Sequence, residues 1–261
     1  MRPSFQRREK IMEHLRVHSF ATVSGLAKEL ECSEMTIRRD LDRLASEGKV
    51  ERRHGGAMVT RRVKLEFALG EKAEKHRLEK AAIAKAAAGL IRPGQRIFLD
   101  TGTTLQALAW EVRQREEIKV VTTSLAVVSI LLSARGIECM LLGGIVRDRS
   151  PDLYGPLVED NLSKIHPDWA FIGCDGISAT AGFTTDDPRV AHATSLLIAN
   201  SCRVALLTDS SKARADSFVT FARMEDLDVL VTDTGMPGEI LEAASRSGVE
   251  TMVVEVAEEG A

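Results

Sequence analysis

The chain has little of the equipment that most often announces chemistry. Its four cysteines, Cys32, Cys139, Cys174 and Cys202, are scattered, and no two form a CxxC pair. This spacing fits neither a zinc site nor a disulfide framework. Three of the four sit in apolar runs, where cysteine acts as a small hydrophobe. No stretch approaches the roughly 18 apolar residues of a membrane span, and the start of the chain, with Arg2, Pro3, Ser4 and Gln6, has no apolar signal core. A cytoplasmic protein with no membrane contact is expected. A GxGxxG turn and a P-loop lysine motif are both missing, which disfavours nucleotide binding. A Gly-x-Ser-x-Gly elbow and a histidine pair at metal spacing are missing too, so no metal and no cofactor is expected. His166, before Pro167, and His192 read as structural residues.

What is present describes a folded protein: 44% hydrophobic and 28% charged residues in 261, enough chain for two domains. The net charge of −3 hides an asymmetry. Residues 1–62 carry 14 Lys+Arg against 9 Asp+Glu, whereas the remaining 199 carry 21 against 29. A basic head on an acidic body suggests that the head meets a polyanion.

Within the head, Ser4 is placed to cap a helix running to about His18, with Ile11 and Leu15 four apart on one face. Val23, Leu26 and Leu30 mark a second helix. After the short turn "ECS", Ser33 is a natural cap for a third. There Ile37, Leu41 and Leu44 follow helical spacing and face inward, while Met35, Arg39 and Asp42 project from the opposite side. Arg38 lies on one flank and Thr36 and Arg43 on the other, and Gly48 ends the helix. Two short helices joined by a three-residue turn are the device that sets a helix into the major groove, where arginine bridges guanine O6 and N7. Ser33 and Thr36 suit phosphate contacts at the helix start. "KVERRHGGAMV" then reads as two strands about the Gly55-Gly56 turn, a wing with Arg52, Arg53 and His54 near its tip. Double-stranded DNA is the expected partner.

A connector follows. An alanine-rich helix is expected at about residues 74–90, closed by Pro93-Gly94. This divides the chain into a head (1–60), a linker (61–74) and a body (75–261). In the body "RIFLD", "IKVVT", "ECMLLG", "DWAFIG", "RVALLT", "DVLVT" and "ETMVVEV" alternate with helical stretches, the pattern of an α/β domain with a mostly parallel sheet. Ligands bind beyond the carboxyl ends of such strands. Five ends carry polar or glycine-rich turns: Asp100, Gly102, Thr103 and Thr104; Thr122, Thr123 and Ser124; Gly143 and Gly144; Asp175 and Gly176; and Lys212 in "TDSSK". Hydroxyls, amides and one lysine beside carboxylates suit a phosphorylated polyol or sugar.

The run "RREKIMEHL…SEMTIRRDLDRLASEGKVERRHGGA", residues 7–57, resembles the N-terminal signature of the DeoR family of bacterial transcriptional regulators. The resemblance implies a winged helix-turn-helix that binds operator DNA, usually as a repressor. Residues 75–255 are similar to that family's sensor domain, itself similar to sugar-phosphate isomerases and coenzyme A transferases. By motif it implies an effector site at "DTGTT", "VTTS", "LLGG", "GCDG" and "DSSK", the last with Asp209 and Lys212. The family more often has Asn where Thr123 stands. In its next helix it often carries a Glu and a Lys, where "DPRVAHATSLLI" offers neither. Arg147, Arg149 and Arg189 are the candidate replacements for the missing cation. The expected function is a sugar-phosphate-responsive repressor of a carbohydrate-metabolism operon, not an enzyme. A homo-oligomer (dimer or tetramer) is expected, because paired heads read half-sites about 34 Å apart. The alternatives are an isomerase fused to a DNA-binding head, with Asp100, Asp175 and Lys212 moving protons beside a carbonyl, and a body serving only oligomerisation.

Overall fold

The computed structural model describes residues 4–148, 150–214 and 217–256. It divides into two units, Met1–Lys72 and Ala73–Ala261.

In the first unit, α1 (Ser4–His18), β1 (Phe20–Thr22), α2 (Val23–Glu29) and α3 (Glu34–Ser46) are followed by the hairpin β2 (Val50–Arg53) and β3 (Gly56–Val59). The three strands form an antiparallel sheet in the order β1-β3-β2. The segment "SFAT", expected as a connection, contains β1, short and locally unpatterned, whose partners in β3 lie 34 to 38 residues further along the chain. The helix starts are fixed by their caps. The Thr22 hydroxyl accepts from the Gly25 amide at 3.1 Å and the Ser33 hydroxyl from the Thr36 amide at 3.2 Å. After α3, Gly48 takes φ +69° and the Lys49 amide returns to the Leu44 carbonyl, a left-handed stop that glycine tolerates. Ile11, Leu15, Leu26, Ile37, Leu41 and Leu44 close the core with Val50, Ala57 and Val59. One charged pair joins them: Asp40, on the inner face of α3, accepts from the guanidinium of Arg7 on α1.

Residues 61–74, expected as a linker, are helical, α4 (Arg61–Glu74). Thr60 starts the helix, its hydroxyl accepting from the Val63 amide and its carbonyl from that of Lys64. The alanine-rich helix, α5 (Arg77–Ala88), begins later than periodicity suggested, because His76 adopts a left-handed φ of 55°.

The second unit continues β4 (Arg96–Leu99), α6 (Thr103–Val112), β5 (Ile118–Thr122), α7 (Leu125–Leu131) and β6 (Ile137–Leu141). Next come the small hairpin β7 (Ile145–Val146) and β8 (Leu153–Tyr154), then α8 (Pro156–Leu162) and β9 (Trp169–Ile172). They are followed by β10 (Gly176–Ser178), β11 (Gly182–Thr185), α9 (Pro188–Asn200), β12 (Val204–Leu207) and β13 (Val219–Ala222). The last elements are β14 (Val229–Asp233), α10 (Gly238–Arg246) and β15 (Glu250–Val254). Seven strands make a parallel sheet in the order β15-β14-β12-β9-β4-β5-β6, while β10, β11 and β13 form a separate antiparallel sheet.

Both faces of the parallel sheet are covered at its central strands, which is why β9 and β12 read as unbroken apolar runs, while β5, β6 and β15 keep exposed residues. Ile97, Leu99, Phe171, Ala205 and Val229 pack with Ile83, Leu105 and Leu108 of α5 and α6. Phe98, Ala170, Ile172, Leu206 and Leu230 pack on the other side with Val158, Leu197 and Ile240 of α8, α9 and α10. From β4 the chain steps outward through β5 and β6, then returns to β9 on β4's other flank. The strand order therefore reverses between β4 and β9, and a crevice at the carboxyl ends of these strands is where such folds take ligands.

Candidate functional site

On the first unit, the residues nominated for DNA lie on the solvent face of α3 and on the hairpin. Met35 is 61% exposed. Ser33 and Thr36 share a 2.9 Å hydroxyl contact at the helix start. The arginines differ in how they are held. Arg38 pairs with Glu34 at 3.2 Å, Arg43 with Glu47 at 2.9 Å, Arg52 with Asp42 at 3.0 Å and Arg53 with Glu51 at 2.9 Å. The Arg52–Asp42 pair ties the hairpin to α3, and Arg52 also donates to the Gly56 carbonyl within the hairpin. Arg39 and His54 are exposed and have no ion pair or hydrogen bond among the described residues. The turn is His54-Gly55, and Gly56 already belongs to β3: a Cβ there would lie 2.2 Å from the Ala21 carbonyl oxygen.

On the second unit, the nominated residues gather at the carboxyl edge of the parallel sheet. Asp100, at the end of β4, is buried and accepts from the amides of Thr101 and Gly173. Burial is the main force on its carboxyl; with the nearby Asp152 charge it outweighs those amides and Arg147, and the pKa rises to about 7. Gly102 has φ +114° and caps α6 without a side-chain bond. The first amides of α6, those of Thr103 and Thr104, have no intrahelical partner. Thr123 is buried and shares a cleft with Asp100, Thr101, Asp152, Tyr154 and Thr194. The space enclosed there is about 20 Å³, room for one water.

Other nominated residues are engaged in holding the fold. The Thr122 hydroxyl accepts from the Ser124 amide, and the Ser124 hydroxyl caps α7 through the Val127 amide. Gly144 is a packing glycine, since a Cβ would meet Val158 Cγ2 at 2.7 Å and the Tyr154 carbonyl at 2.8 Å. Gly143 faces open space. Asp175 accepts from the Thr185 hydroxyl at 2.8 Å, and Gly176 opens β10 opposite Thr184. Lys212, in the short 3₁₀ turn after β12, has no ion pair or side-chain hydrogen bond among the described residues. Its neighbour Asp209 is occupied by the Ser211 amide and hydroxyl. Close by, burial pushes the Cys174 thiol up to about 12.

The replacement arginines are already bound. Arg147 donates to both oxygens of Asp152 at 2.9 and 2.8 Å. Arg189 donates to both oxygens of Asp187 at 2.9 and 2.7 Å and stacks 4.1 Å over the Tyr154 ring. The Arg189 hydrogen bonds hold the Asp187 carboxyl down at about 2. Arg149 lies outside the described residues. Sequence reading missed Asp152, Asp187 and Tyr154. The only signal was the five-residue spacing of Arg147 and Asp152, which the β7–β8 hairpin closes into a bidentate pair. Among the described residues no group of His, Cys, Asp or Glu is arranged to hold a metal, and no helix is long and apolar enough to cross a membrane.

A winged helix-turn-helix joined to an α/β sensor of this topology defines a class, the transcriptional regulators that bind DNA and respond to a small molecule. The chain belongs to the DeoR family: residues 7–63 match the DeoR-like helix-turn-helix domain and residues 75–234 the DeoR C terminal sensor domain. It is 32% identical over 251 residues to a putative aga operon transcriptional repressor of Escherichia coli O157:H7, covering 95% of this chain and 93% of the relative. It is 34% identical over 244 residues to the lactose phosphotransferase system repressor of Lactococcus lactis subsp. lactis, covering 92% and 95%. Among solved structures, ribose 5-phosphate isomerase A from Methanocaldococcus jannaschii overlays with a TM-score of 0.40 at 20% identity, over 54% of this chain and 55% of that one. The protein is a DNA-binding transcriptional regulator rather than an enzyme.

Proposed function

We propose that this regulator is a cytoplasmic repressor of a carbohydrate operon, and that it releases its operator when a phosphorylated sugar binds at the carboxyl edge of the parallel sheet. The observation that carries the effector reading is Lys212. Arg147 and Arg189 already have carboxylates, whereas among the described residues Lys212 has no ion pair and the first amides of α6 have no intrahelical partner. Lys212 follows β12 and the α6 amides follow β4, two strands apart, which at strand spacing is about 10 Å. A phosphate at this rim and hydroxyls directed at Asp100 and Thr123 span that distance. The enclosed cleft holds no sugar, so the ligand lies over the strand ends, or α8 and α9 yield to admit it.

On the DNA side, Arg39 reads bases, Ser33, Thr36, Arg38, Arg43, Arg52, Arg53 and His54 contact phosphates, and Met35 lies against the groove wall. Arg38 and Arg43 exchange an exposed carboxylate for a phosphate at little cost, since surface pairs are worth about 0–1 kcal/mol. Arg39 gives up nothing and sits at the centre of the face.

Two variants test the assignment. Arg39→Ala should weaken operator binding by about 1–3 kcal/mol and flatten the preference for operator over random duplex; an equal loss on both duplexes makes Arg39 a phosphate contact instead. Lys212→Ala should bind operator as the parent does and lose both the thermal shift and the DNA release produced by a sugar-phosphate panel. If release persists, the lysine is outside the site.

A further inference from the structure

The cleft beside Asp100 is closed along one seam by side chains alone. The β7–β8 hairpin touches both the end of β5 and the start of α9. Towards β5 it is held by backbone: the Leu153 amide donates to the Thr123 carbonyl at 2.9 Å, the Leu125 amide donates to the Pro151 carbonyl at 2.8 Å, and Ser124 bridges Asp152. Towards α9 no backbone hydrogen bond among the described residues joins the two elements. What joins them there is charge centred on Asp187, the N-cap of α9. Its carboxylate pairs with Arg147, directly after β7, at 3.6 Å and with Arg189 at 2.7 Å. Arg147 in turn grips Asp152 within the hairpin, and Arg189 stacks over Tyr154 of β8. Through two arginines, one carboxylate holds both sides of the seam.

Behind the seam lie polar groups with nothing to bind. Thr123 is 5% exposed and Thr194, on α9, is 4% exposed, and neither hydroxyl has a hydrogen bond among the described residues. Both line the cleft with Asp100, while Val190 of α9 and Tyr154 of the hairpin line it from either side of the seam. Burying hydroxyls without partners is unfavourable, and the closed cleft, at about 20 Å³, has room for one water. A ligand with hydroxyls of its own would satisfy both threonines, but only by way of an open seam.

We propose that Asp187 is a clasp: it holds the β7–β8 hairpin to the start of α9, keeps the cleft shut, and is released to admit the effector. The identity of what enters rests on the proposed effector; the closure rests on the residues of the seam alone. The Arg147–Asp152 pair lies within the hairpin, so the hairpin keeps its shape when the seam parts. Gly143 and Gly155, the latter at φ +101°, flank it and suit a hinge. A closed form lowers apparent affinity by the fraction of molecules that are open. Weakening the clasp raises that fraction, so access to the cleft and affinity for its ligand rise by one factor.

Thiol access in the full chain tests the clasp without any effector. Thr194→Cys sets a thiol of similar size in the cleft, and mass spectrometry of the peptide that carries it follows its alkylation by iodoacetamide. Adding Asp187→Asn keeps an oxygen to cap the Arg189 amide but removes the charge, and should quicken that alkylation at least tenfold. Native Cys139, half-buried on β6, should react at the parent's rate. No change at residue 194, or an equal rise at Cys139, overturns the clasp and leaves the effector proposal standing. If Thr194→Cys misfolds, the same comparison at Ala193→Cys decides. Glucose 6-phosphate, fructose 1-phosphate, fructose 6-phosphate and ribose 5-phosphate then test the gating. Any of them that binds the parent should bind the Asp187→Asn variant tighter, by the factor through which alkylation quickened. Equal affinity for parent and variant overturns the gating; quickened alkylation with no binding to either protein counts against the effector reading while the clasp stands.

Discussion

At the scale of single residues, Asp100 is the group most displaced from its ordinary chemistry. A carboxyl with an unfolded pKa near 4 and a folded pKa of about 7 binds its proton more tightly in the folded state. Its stabilising contribution is therefore complete below about pH 4 and is lost as pH rises through 7. Asp100→Asn removes that loss while keeping an oxygen to accept the Thr101 and Gly173 amides. The variant should melt higher than the parent at pH 8, by up to about 4 kcal/mol of stability, and near the parent's midpoint at pH 4.5. Thermal melts at the two pH values check this; an unchanged difference between them means that Asp100 stays ionised throughout. Asp187 behaves in the opposite sense. Its carboxyl is held low, so the stability it adds is present above about pH 4 and disappears only as pH falls through about 2.

At the scale of elements, Gly56 shows how closely the hairpin is fitted. A methyl group there would lie 2.2 Å from the Ala21 carbonyl oxygen, and backbone cannot move aside cheaply. Gly56→Ala should force β1 from β3 at a cost of about 1–3 kcal/mol. Hydrogen exchange of the 57–59 amides in the full chain should then quicken by roughly 5- to 150-fold. Rates equal to the parent's would show that the sheet absorbs the methyl. The same physics explains what could be read in advance. The central parallel strands were legible because burial on both faces makes runs such as "WAFI" and "VALL" continuously apolar, whereas β5, β6 and β15 were legible from apolar residues beside exposed Lys119, Glu138 and Glu250. The recognition helix was legible because Ser33, Ile37, Leu41 and Leu44 keep helical spacing. Strands β10, β11 and β13 were not. They are three or four residues long, rich in Gly, Ser and Thr, and β13 joins β11 only after α9 and β12 intervene. In the site, Asp100 and Lys212 stood out as polar residues at the ends of apolar strands. Asp152, Asp187 and Tyr154 come from loops and a two-residue strand, where nothing local reveals that Arg147 and Arg189 will bind them. The assignment of Asp40 escaped for a related reason: its partner Arg7 lies 33 residues away on another helix.

At the scale of the whole molecule, regulation requires that effector and operator influence each other's affinity. If the ligand lowers operator affinity by a factor within the usual 5–150, operator DNA must lower ligand affinity by that same factor. Titrating ligand with and without saturating operator DNA should therefore show that factor directly, as a weaker dissociation constant when DNA is bound. Equal ligand affinity in the two titrations would show that the effector site and the DNA-binding unit are not coupled.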